Sequence, residues 1–232
     1  EVRCFSIEQS HRGLDITARS RIQLVPRGIP TGSSSPWETV REDLATNRTA
    51  EVLDAYQFVF DSPCIKTSPA LAAYAATSFL PGRPLLEAAT ELTARIHADF
   101  RYDAKATTVT TPVHEVLQHR RGVCQDFAHL AIAAIRSLGL AARYVSGYLR
   151  TLPPPGKPRL IGADASHAWV SVYAGRHGWV DMDPTNNQWV DADHITLAWG
   201  RDYNDVAPVH GMFVGSGEHT MTVSVDVAPQ DE

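Results

Sequence analysis

The stretch Arg121-Gly-Val-Cys-Gln-Asp-Phe-Ala-His129 runs directly into an apolar segment that ends at Gly139. From Phe127 onward apolar residues recur at steps of three and four, which predicts the buried face of an amphipathic helix. Cys124 then lies at or just before the first helical turn, where free N–H groups and the helix dipole favour a negative charge. Both effects lower the pKa of a thiol, so the stretch predicts a nucleophilic cysteine. The alternative is a small buried core cysteine.

A candidate base and a candidate carboxylate follow on two predicted strands. An alternating run extends from His167 to Tyr173, and a second run extends from Trp179 to Asp183 after the turn residues 175–178. If the two runs pair as a hairpin, the start of the first lies beside the end of the second. His167 and Asp183 then meet at one edge of a sheet. Together with a cysteine at a helix start, they supply the nucleophile, base and orienting group of a thiol hydrolase or acyltransferase.

A family resemblance rests on three motifs and two shorter segments, namely Gly122-Val-Cys-Gln-Asp-Phe127, Ser166-His-Ala-Trp-Val170, Gly178-Trp-Val-Asp-Met-Asp-Pro-Thr-Asn186, Phe100–Asp103 and Gly200–Tyr203. Together they resemble the bacterial transglutaminase-like family, relatives of papain-type thiol enzymes, over about residues 65–227. The resemblance implies that Cys124 is the nucleophile, His167 the base and Asp183 the acid of a catalytic triad.

The predicted fold class is α+β, with a papain-like or transglutaminase-like core. A helical layer carries the cysteine at a helix N-terminus and packs on an antiparallel sheet. The chain divides into three expected segments, a β-hairpin remnant of an N-terminal β region (1–30), a linker with an irregular or helical connection (31–67) and a transglutaminase-like catalytic domain (68–228). The hairpin is predicted from alternation over residues 2–8 and 14–25, and a last strand is predicted over 219–227.

Six further residues are candidates to contact substrate, bind an oxyanion or support the triad, namely Tyr102, Gln125, Asp126, Asp164, Trp169 and Asp181. For Tyr102 and Trp169, a place in the groove wall competes with ordinary packing. Asp126 suits the dipole of the first helical turn, or bonds the loop that shapes the site. Asp181 shares a strand face with Asp183 and is its rival as the orienting carboxylate. The likeness of Asp-Pro-Thr-Asn to the family favours Asp183.

A glycine and three histidines also lie near the predicted nucleophile. Gly122 is expected to let another backbone or a substrate approach closely. A zinc-binding module is a further hypothesis. In it, the metal would be bound by Cys124 together with His114, His119 and His129. Their spacings match no compact Cys/His pattern, and a zinc-bound thiol could not serve as a free nucleophile. We therefore expect no metal and no other cofactor.

Composition limits the remaining classes of protein and of binding partner. The chain has 232 residues, of which 44% are hydrophobic and 20% charged, as in ordinary globular proteins. A net charge of −5 argues against nucleic acid or an anionic membrane as partner. Three widely spaced cysteines argue against a disulfide framework, and neither a signal sequence nor a spanning segment is seen. The expected compartment is the cytoplasm.

The expected reaction is attack of the Cys124 thiolate on the carbonyl of a peptide or protein amide, giving a thioester. Water then yields hydrolysis, as in a cysteine protease or amidase, and a lysine amine yields cross-linking, as in a protein-glutamine transglutaminase. Hydrolysis is favoured because no calcium-site motif is present. A non-catalytic scaffold that keeps the fold is the alternative from a different class.

Overall fold

A computed structural model describes residues 4–25, 28, 30, 32–150, 165–209, 211–212, 214–215, 220 and 222–228. The helices among them are α1 (Trp37–Thr46), α2 (Ala50–Tyr56), α3 (Pro69–Ala76), α4 (Leu85–Asp99), α5 (Val113–His119) and α6 (Cys124–Arg136). The strands are β1 (Arg101–Tyr102), β2 (Arg121–Gly122), β3 (Ala142–Leu149), β4 (Ala165–Tyr173), β5 (Trp179–Asp183), β6 (Gln188–Trp189) and β7 (His194–Gly200). Within this described part of the chain, every helix is too short or too polar to cross a membrane.

Five strands form an antiparallel sheet in the order β6-β5-β4-β3-β7. β4 and β5 form the predicted hairpin, in which Val170 lies opposite Met182. On its other side β4 pairs with β3, where His167 lies opposite Gly147. β1 and β2 form a separate parallel pair beside the start of α6. The observed mixture of helices and an antiparallel sheet confirms the predicted fold class.

The helix that begins at Cys124 is the centre of the core. Every residue of α6 from Asp126 to Arg136 is buried, so the helix is enclosed on all sides rather than amphipathic at a surface. α3, α4 and α5 contact it from one side, while β3 and β4 contact it from the other. The helix ends three residues before Gly139, which adopts a left-handed backbone (φ 78°) as predicted for a helix stop.

The C-terminal end of α6 is held by a buried guanidinium group. Arg136 donates hydrogen bonds to the carbonyl oxygens of Phe60 (3.0 Å), Ala142 (2.8 Å) and Arg201 (2.8 Å). Its positive charge also complements the negative end of the helix dipole. Three separate segments therefore hold the C-terminal end of the helix that begins at Cys124.

The predicted connection between residues 31 and 67 is largely helical. It contains α1, α2 and a 3-10 turn at Gln57–Val59. Val40, Leu44 and Phe58 are buried in the same core as α6. Residues 37–59 therefore pack into the same core as α6, and the division of the chain into three segments stays a prediction.

Three predicted strands, the two of the N-terminal hairpin and the last one, are not formed over the described residues. Residues 4–25 contain no strand, and the side chains of Ile16 and Ile22 are about half exposed (52% and 50%). The hairpin prediction is therefore wrong for these residues. Residues 222–228 contain only an isolated bridge position at Val225, so the predicted last strand is also wrong there. Alternation alone does not make a strand stable, because a strand needs a neighbour to accept and donate its backbone hydrogen bonds.

Candidate active site

The nucleophile loop is shaped by a buried carboxylate. β2 ends at Gly122, and Cys124 is the first residue of α6. Asp126, in the first helical turn, accepts hydrogen bonds from the backbone N–H of Val123 (2.8 Å) and from the Thr107 hydroxyl (2.6 Å). Burial raises the pKa of Asp126, although both hydrogen bonds act to lower it. Of the two interpretations of Asp126, the geometry supports the one in which it bonds the loop.

Gly122 lies close to this same carboxylate, and its backbone pairs with Tyr102 of β1. A Cβ atom added at Gly122 would lie 2.6 Å from Oδ2 and 2.8 Å from Cβ of Asp126. A glycine is therefore needed for the turn that brings Asp126 back over the loop. The expected close approach at Gly122 is therefore made by the Asp126 side chain, beside the backbone of β1.

The sheet side of the site holds a histidine against a buried carboxylate. His167 on β4 is 8% exposed, and Asp183 at the end of β5 is 0% exposed. His167 Nε2 lies 2.7 Å from Asp183 Oδ2. This contact confirms the predicted meeting of the two residues at one edge of the sheet. The antiparallel pairing of β4 with β5 brings them together.

Asp183 is surrounded by hydrogen-bond donors. Its Oδ1 accepts from the backbone N–H groups of Thr185 (2.8 Å) and Asn186 (3.2 Å). Its Oδ2 accepts from the Asn186 side-chain amide (2.7 Å) as well as from His167. Burial alone would raise the pKa of Asp183, but the hydrogen bonds from His167 and His194 lower it well below its usual range. Asp183 is therefore a carboxylate throughout the physiological pH range.

His167 is held between this carboxylate and the thiol. Burial acts to lower the pKa of His167, but hydrogen bonds to Asp183 and Cys124 outweigh it and raise the pKa to about 9. Because Nε2 faces Asp183, Nδ1 is the ring nitrogen left to face Cys124. At neutral pH His167 is an imidazolium with a carboxylate on one side and the Cys124 sulfur on the other.

A second histidine, which sequence reasoning missed, lies against the same carboxylate. His194 is the first residue of β7, its side chain is fully buried, and its Nε2 lies 3.2 Å from Asp183 Oδ2. Its Nδ1 lies 3.0 Å from Oδ1 of Asp191. Asn186, the last residue of the Gly178–Asn186 motif, is a further partner of Asp183 that the motif alone did not indicate. No local pattern in the sequence marks His194, since only strand pairing across the sheet brings it to Asp183.

Two candidates from the helix side lie near the thiol. Tyr102 on β1 is 56% exposed, and burial together with the charges of Cys124 and Asp126 raises its pKa. Its exposure leaves its predicted place in a substrate groove open as a proposal. Gln125 donates from Nε2 to the carbonyl oxygen of Val109 (3.0 Å), so it ties the loop before α5 to the start of α6.

The remaining candidates lie beneath the site or outside the described residues. Trp169 is 0% exposed, so it does not wall a substrate groove, and its ring packs against those of His167 and His194. The indole N–H of Trp169 donates to Asp181 Oδ2 (3.2 Å). Asp181 is therefore bonded to Trp169, and His167 bonds the other carboxylate of β5, Asp183. Asp164 lies outside the described residues.

The histidines considered for zinc are not assembled around the thiol. His114 and His119 are exposed, and buried His129 accepts a hydrogen bond from the backbone N–H of Tyr203 (3.2 Å). His167, Asp183 and His194 do place three potential ligand atoms within 4.8 Å of one another. These atoms already hydrogen-bond to each other, which favours a hydrogen-bonded cluster over a metal centre. The expected absence of a metal stays a prediction.

A cavity of about 460 Å³ lies elsewhere, between α4 and the segment around Ser33, with Trp189 at one side. None of Cys124, His167 and Asp183 lines it. We therefore do not assign it to the substrate.

The fold and the site define a class of protein. Residues 72–184 match the family model of the transglutaminase-like superfamily, and the chain belongs to this superfamily. It is 46% identical to the uncharacterized protein Rv2569c of Mycobacterium tuberculosis over 234 aligned residues, covering 97% of this chain and 73% of the relative. It is 31% identical to the uncharacterized protein ML0607 of Mycobacterium leprae, covering 97% and 77%.

One solved structure is similar in both sequence and fold. It is a candidate cysteine protease from Cytophaga hutchinsonii, with 29% identity and a TM-score of 0.57. The match covers 70% of this chain and 51% of the other, so this chain spans about half of that protein's length. The likeness supports a general resemblance to cysteine proteases.

Proposed function

We propose that this protein is a cysteine-dependent amide hydrolase with a Cys124-His167-Asp183 triad. One observation carries the proposal, which is the His167 ring held between the Asp183 carboxylate at 2.7 Å and the thiol at the first residue of α6. The thiol is only partly buried, so a substrate carbonyl can reach it. Membership of the transglutaminase-like superfamily and the likeness to a candidate cysteine protease support the same chemistry.

In the first half-reaction, the Cys124 sulfur attacks the carbonyl carbon of a peptide or protein amide. His167, which is protonated at neutral pH, donates its proton to the leaving nitrogen as the C–N bond breaks. The products are a thioester and a free amine. Asp183 holds the ring in the orientation that this transfer needs and stabilises its positive charge.

In the second half-reaction, water attacks the thioester carbonyl and neutral His167 accepts its proton. The C–S bond breaks, the acid is released, and the thiolate and imidazolium re-form. An amine in place of water would form a new amide, which is the cross-linking alternative. The backbone N–H of Cys124 at the helix start is the proposed oxyanion donor, worth about 3 kcal/mol when well placed. Tyr102 is the proposed neighbour of the substrate.

The three free cysteines provide an internal comparison for testing the nucleophile. Cys4 is exposed, and burial together with the negative charge of Asp202 raises the pKa of Cys64. We would measure the alkylation rate of each cysteine by iodoacetamide from pH 5 to 10, resolved by peptide mass spectrometry. Cys124 should react fastest below pH 7, and Cys64 should react slowest.

These free thiols fit a reducing compartment, and we propose the cytoplasm.

The matched variant is His167→Ala, which removes the partner of the thiol. It should lower the alkylation rate of Cys124 at pH 6 by tenfold or more and leave Cys4 unchanged. If Cys124 follows the same pH profile as Cys4 and ignores the substitution, the enzyme proposal fails and the scaffold hypothesis leads. If the result holds, amide substrates assayed with and without added amines separate hydrolysis from cross-linking.

A further inference from the structure

The carboxylate of the triad has two histidine partners, and only one of them faces the thiol. Asp183 Oδ2 lies 2.7 Å from His167 Nε2 and 3.2 Å from His194 Nε2. The two histidines come from β4 and β7, which are separated in the sheet by β3. Both histidine side chains and the carboxylate are buried. Loss of either hydrogen bond would therefore leave a polar group without that partner in a low-dielectric interior, which costs free energy.

The protonation of His194 follows from its neighbours. Asp183 is ionised and offers only acceptor atoms, so Nε2 of His194 must carry a hydrogen to bond it. Nδ1 lies 3.0 Å from the Asp191 carboxylate and 3.4 Å from the Asp191 backbone N–H. The Asp191 side chain is 60% exposed, so it connects the buried histidine to solvent. Gln188 Nε2, at 3.4 Å from His194 Nε2, is a further neighbour.

Packing holds the His194 ring in the plane that these bonds require. The edge of the ring meets Trp169, with centroids 5.3 Å apart and the planes at 84°. Trp169 is in turn fixed by its hydrogen bond to Asp181, and it also lies beside His167. The same tryptophan therefore supports both histidines that bond Asp183.

We propose that His194 is a positioning residue of the reaction, which donates from Nε2 to Asp183 and is itself oriented through Nδ1 by Asp191. The site is then a line of five groups, from Cys124 through His167, Asp183 and His194 to Asp191 at the surface. The His194 N–H donates to Oδ2, the same oxygen that bonds His167. This second hydrogen bond fixes the orientation of the Asp183 carboxylate toward His167. This inference rests on the proposed function, since it assigns a support to the proposed triad.

Two amide substitutions at position 194 separate the two bonds. In His194→Gln, the side-chain nitrogen reaches about as far as Nε2, so it can still donate to Asp183. In His194→Asn, the nitrogen reaches only as far as Nδ1, so it keeps the Asp191 side and loses Asp183. Both variants replace a buried ring by an uncharged amide and should lose similar amounts of thermal stability. They differ in which of the two bonds remains, and His194→Gln is one methylene group longer than His194→Asn.

The readout is the alkylation rate of Cys124 by iodoacetamide at pH 6, with melting temperatures measured alongside. For histidines that bind metals, removal of the hydrogen-bond partner that orients the ring commonly costs about 10- to 100-fold in activity, and we use the lower end of that range for Asp183 and His167. We expect His194→Asn to lower the rate about tenfold and His194→Gln to stay within about threefold of the wild-type protein. The alkylation rate of Asp191→Asn should lie between the rates of these two variants. In Asp191→Asn, His194 Nε2 keeps its bond to Asp183, but the orientation of the His194 ring is less constrained.

The outcomes distinguish this inference from the proposed function. If His167→Ala lowers the rate and the two variants at position 194 lose it equally, in proportion to their loss of melting temperature, His194 is structural and the inference is overturned. If His167→Ala itself has no effect, the triad proposal fails first. A selective loss in His194→Asn, with recovery in His194→Gln, supports the positioning role.

Discussion

The two sides of the candidate site are built in opposite ways. The nucleophile side is local, because Gly122, Cys124 and Asp126 lie within five consecutive residues and one turn positions them all. The sheet side is assembled from the start of β4, the end of β5 and the start of β7, which only strand register brings together. The difference teaches that the loop around Cys124 can be recognised from a short motif, whereas the full set of groups on the sheet side depends on strand pairing across the sheet.

The largest effect should come from the carboxylate on the sheet side. Asp183→Asn removes the negative charge and turns an amide NH₂ toward donors from His167 and Asn186. We expect amide turnover to fall by about 10³- to 10⁴-fold, as for loss of the orienting carboxylate in other triads. Turnover of a peptide amide, followed by product mass spectrometry, measures the loss.

Asp181→Asn is the matched control on the same strand. The new amide oxygen can still accept from Trp169, so turnover should stay within about threefold of the wild-type protein. Equal losses in the two variants would show that His167 does not depend on Asp183 in particular.

The next effect concerns a buried histidine of the central helix α6. His129 on α6 is buried, and burial lowers its pKa to about 4. Since the unfolded state binds the proton more readily, stability is lost as the pH falls from about 6.5 toward 4. The loss from this one group reaches about 3 kcal/mol at most. Urea unfolding at pH 7 and pH 4.5 measures it.

Two variants isolate this contribution from other titrating groups. His129→Gln can still accept from the Tyr203 N–H, and it should flatten the pH dependence of the free energy of unfolding. His119→Gln changes an exposed histidine and should leave the pH dependence as it is. An unchanged pH dependence in His129→Gln would contradict the assignment.

A smaller effect is expected on the nucleophile side from Gly122→Ala. The added methyl group would overlap with Asp126, so the loop must shift, and the free energy of unfolding should fall by about 1–3 kcal/mol. The alkylation rate of Cys124 should fall with it. In Gly13→Ala the added methyl group meets no atom within 4 Å, and neither quantity should change. A neutral Gly122→Ala would show that the loop is less constrained than the Asp126 geometry indicates.

The smallest effect should come from Thr107→Val, which removes one hydrogen bond from the Asp126 carboxylate and keeps the shape of the side chain. We expect a loss of about 1–2 kcal/mol in the free energy of unfolding. Thr110→Val, in the same loop but exposed, serves as its control and should change little. Denaturant titration of both variants checks the difference.

Much of the site was predictable because its strongest signals are local. The periodic run after Cys124 predicted a helix with that residue at or just before its first turn, and the turn residues 175–178 predicted the hairpin that brings His167 to Asp183. Even there, packing added what periodicity could not show. The helix is buried on all sides, and Asp126 turns back to bond the loop before it.

Two predictions failed for a common reason. Residues 14–25 and 219–227 alternate as clearly as β4 does, yet no regular strand forms over the described residues of either segment. β4 is flanked by β3 and β5, which supply hydrogen bonds along both edges. A period of two shows which face a strand would bury, and it does not show whether a neighbouring strand is present.

The sequence by itself determined the fold class, a central helix with Cys124 at or just before its first turn, and the hairpin that pairs His167 with Asp183. These depend on helical periodicity, turn residues and strand alternation, which act over a few residues. Only the tertiary structure decided that Trp169 lies beneath the site, that Asp181 bonds Trp169 and that His194 reaches Asp183. Such contacts depend on the order of strands in the sheet and on side-chain packing, and no local pattern encodes either.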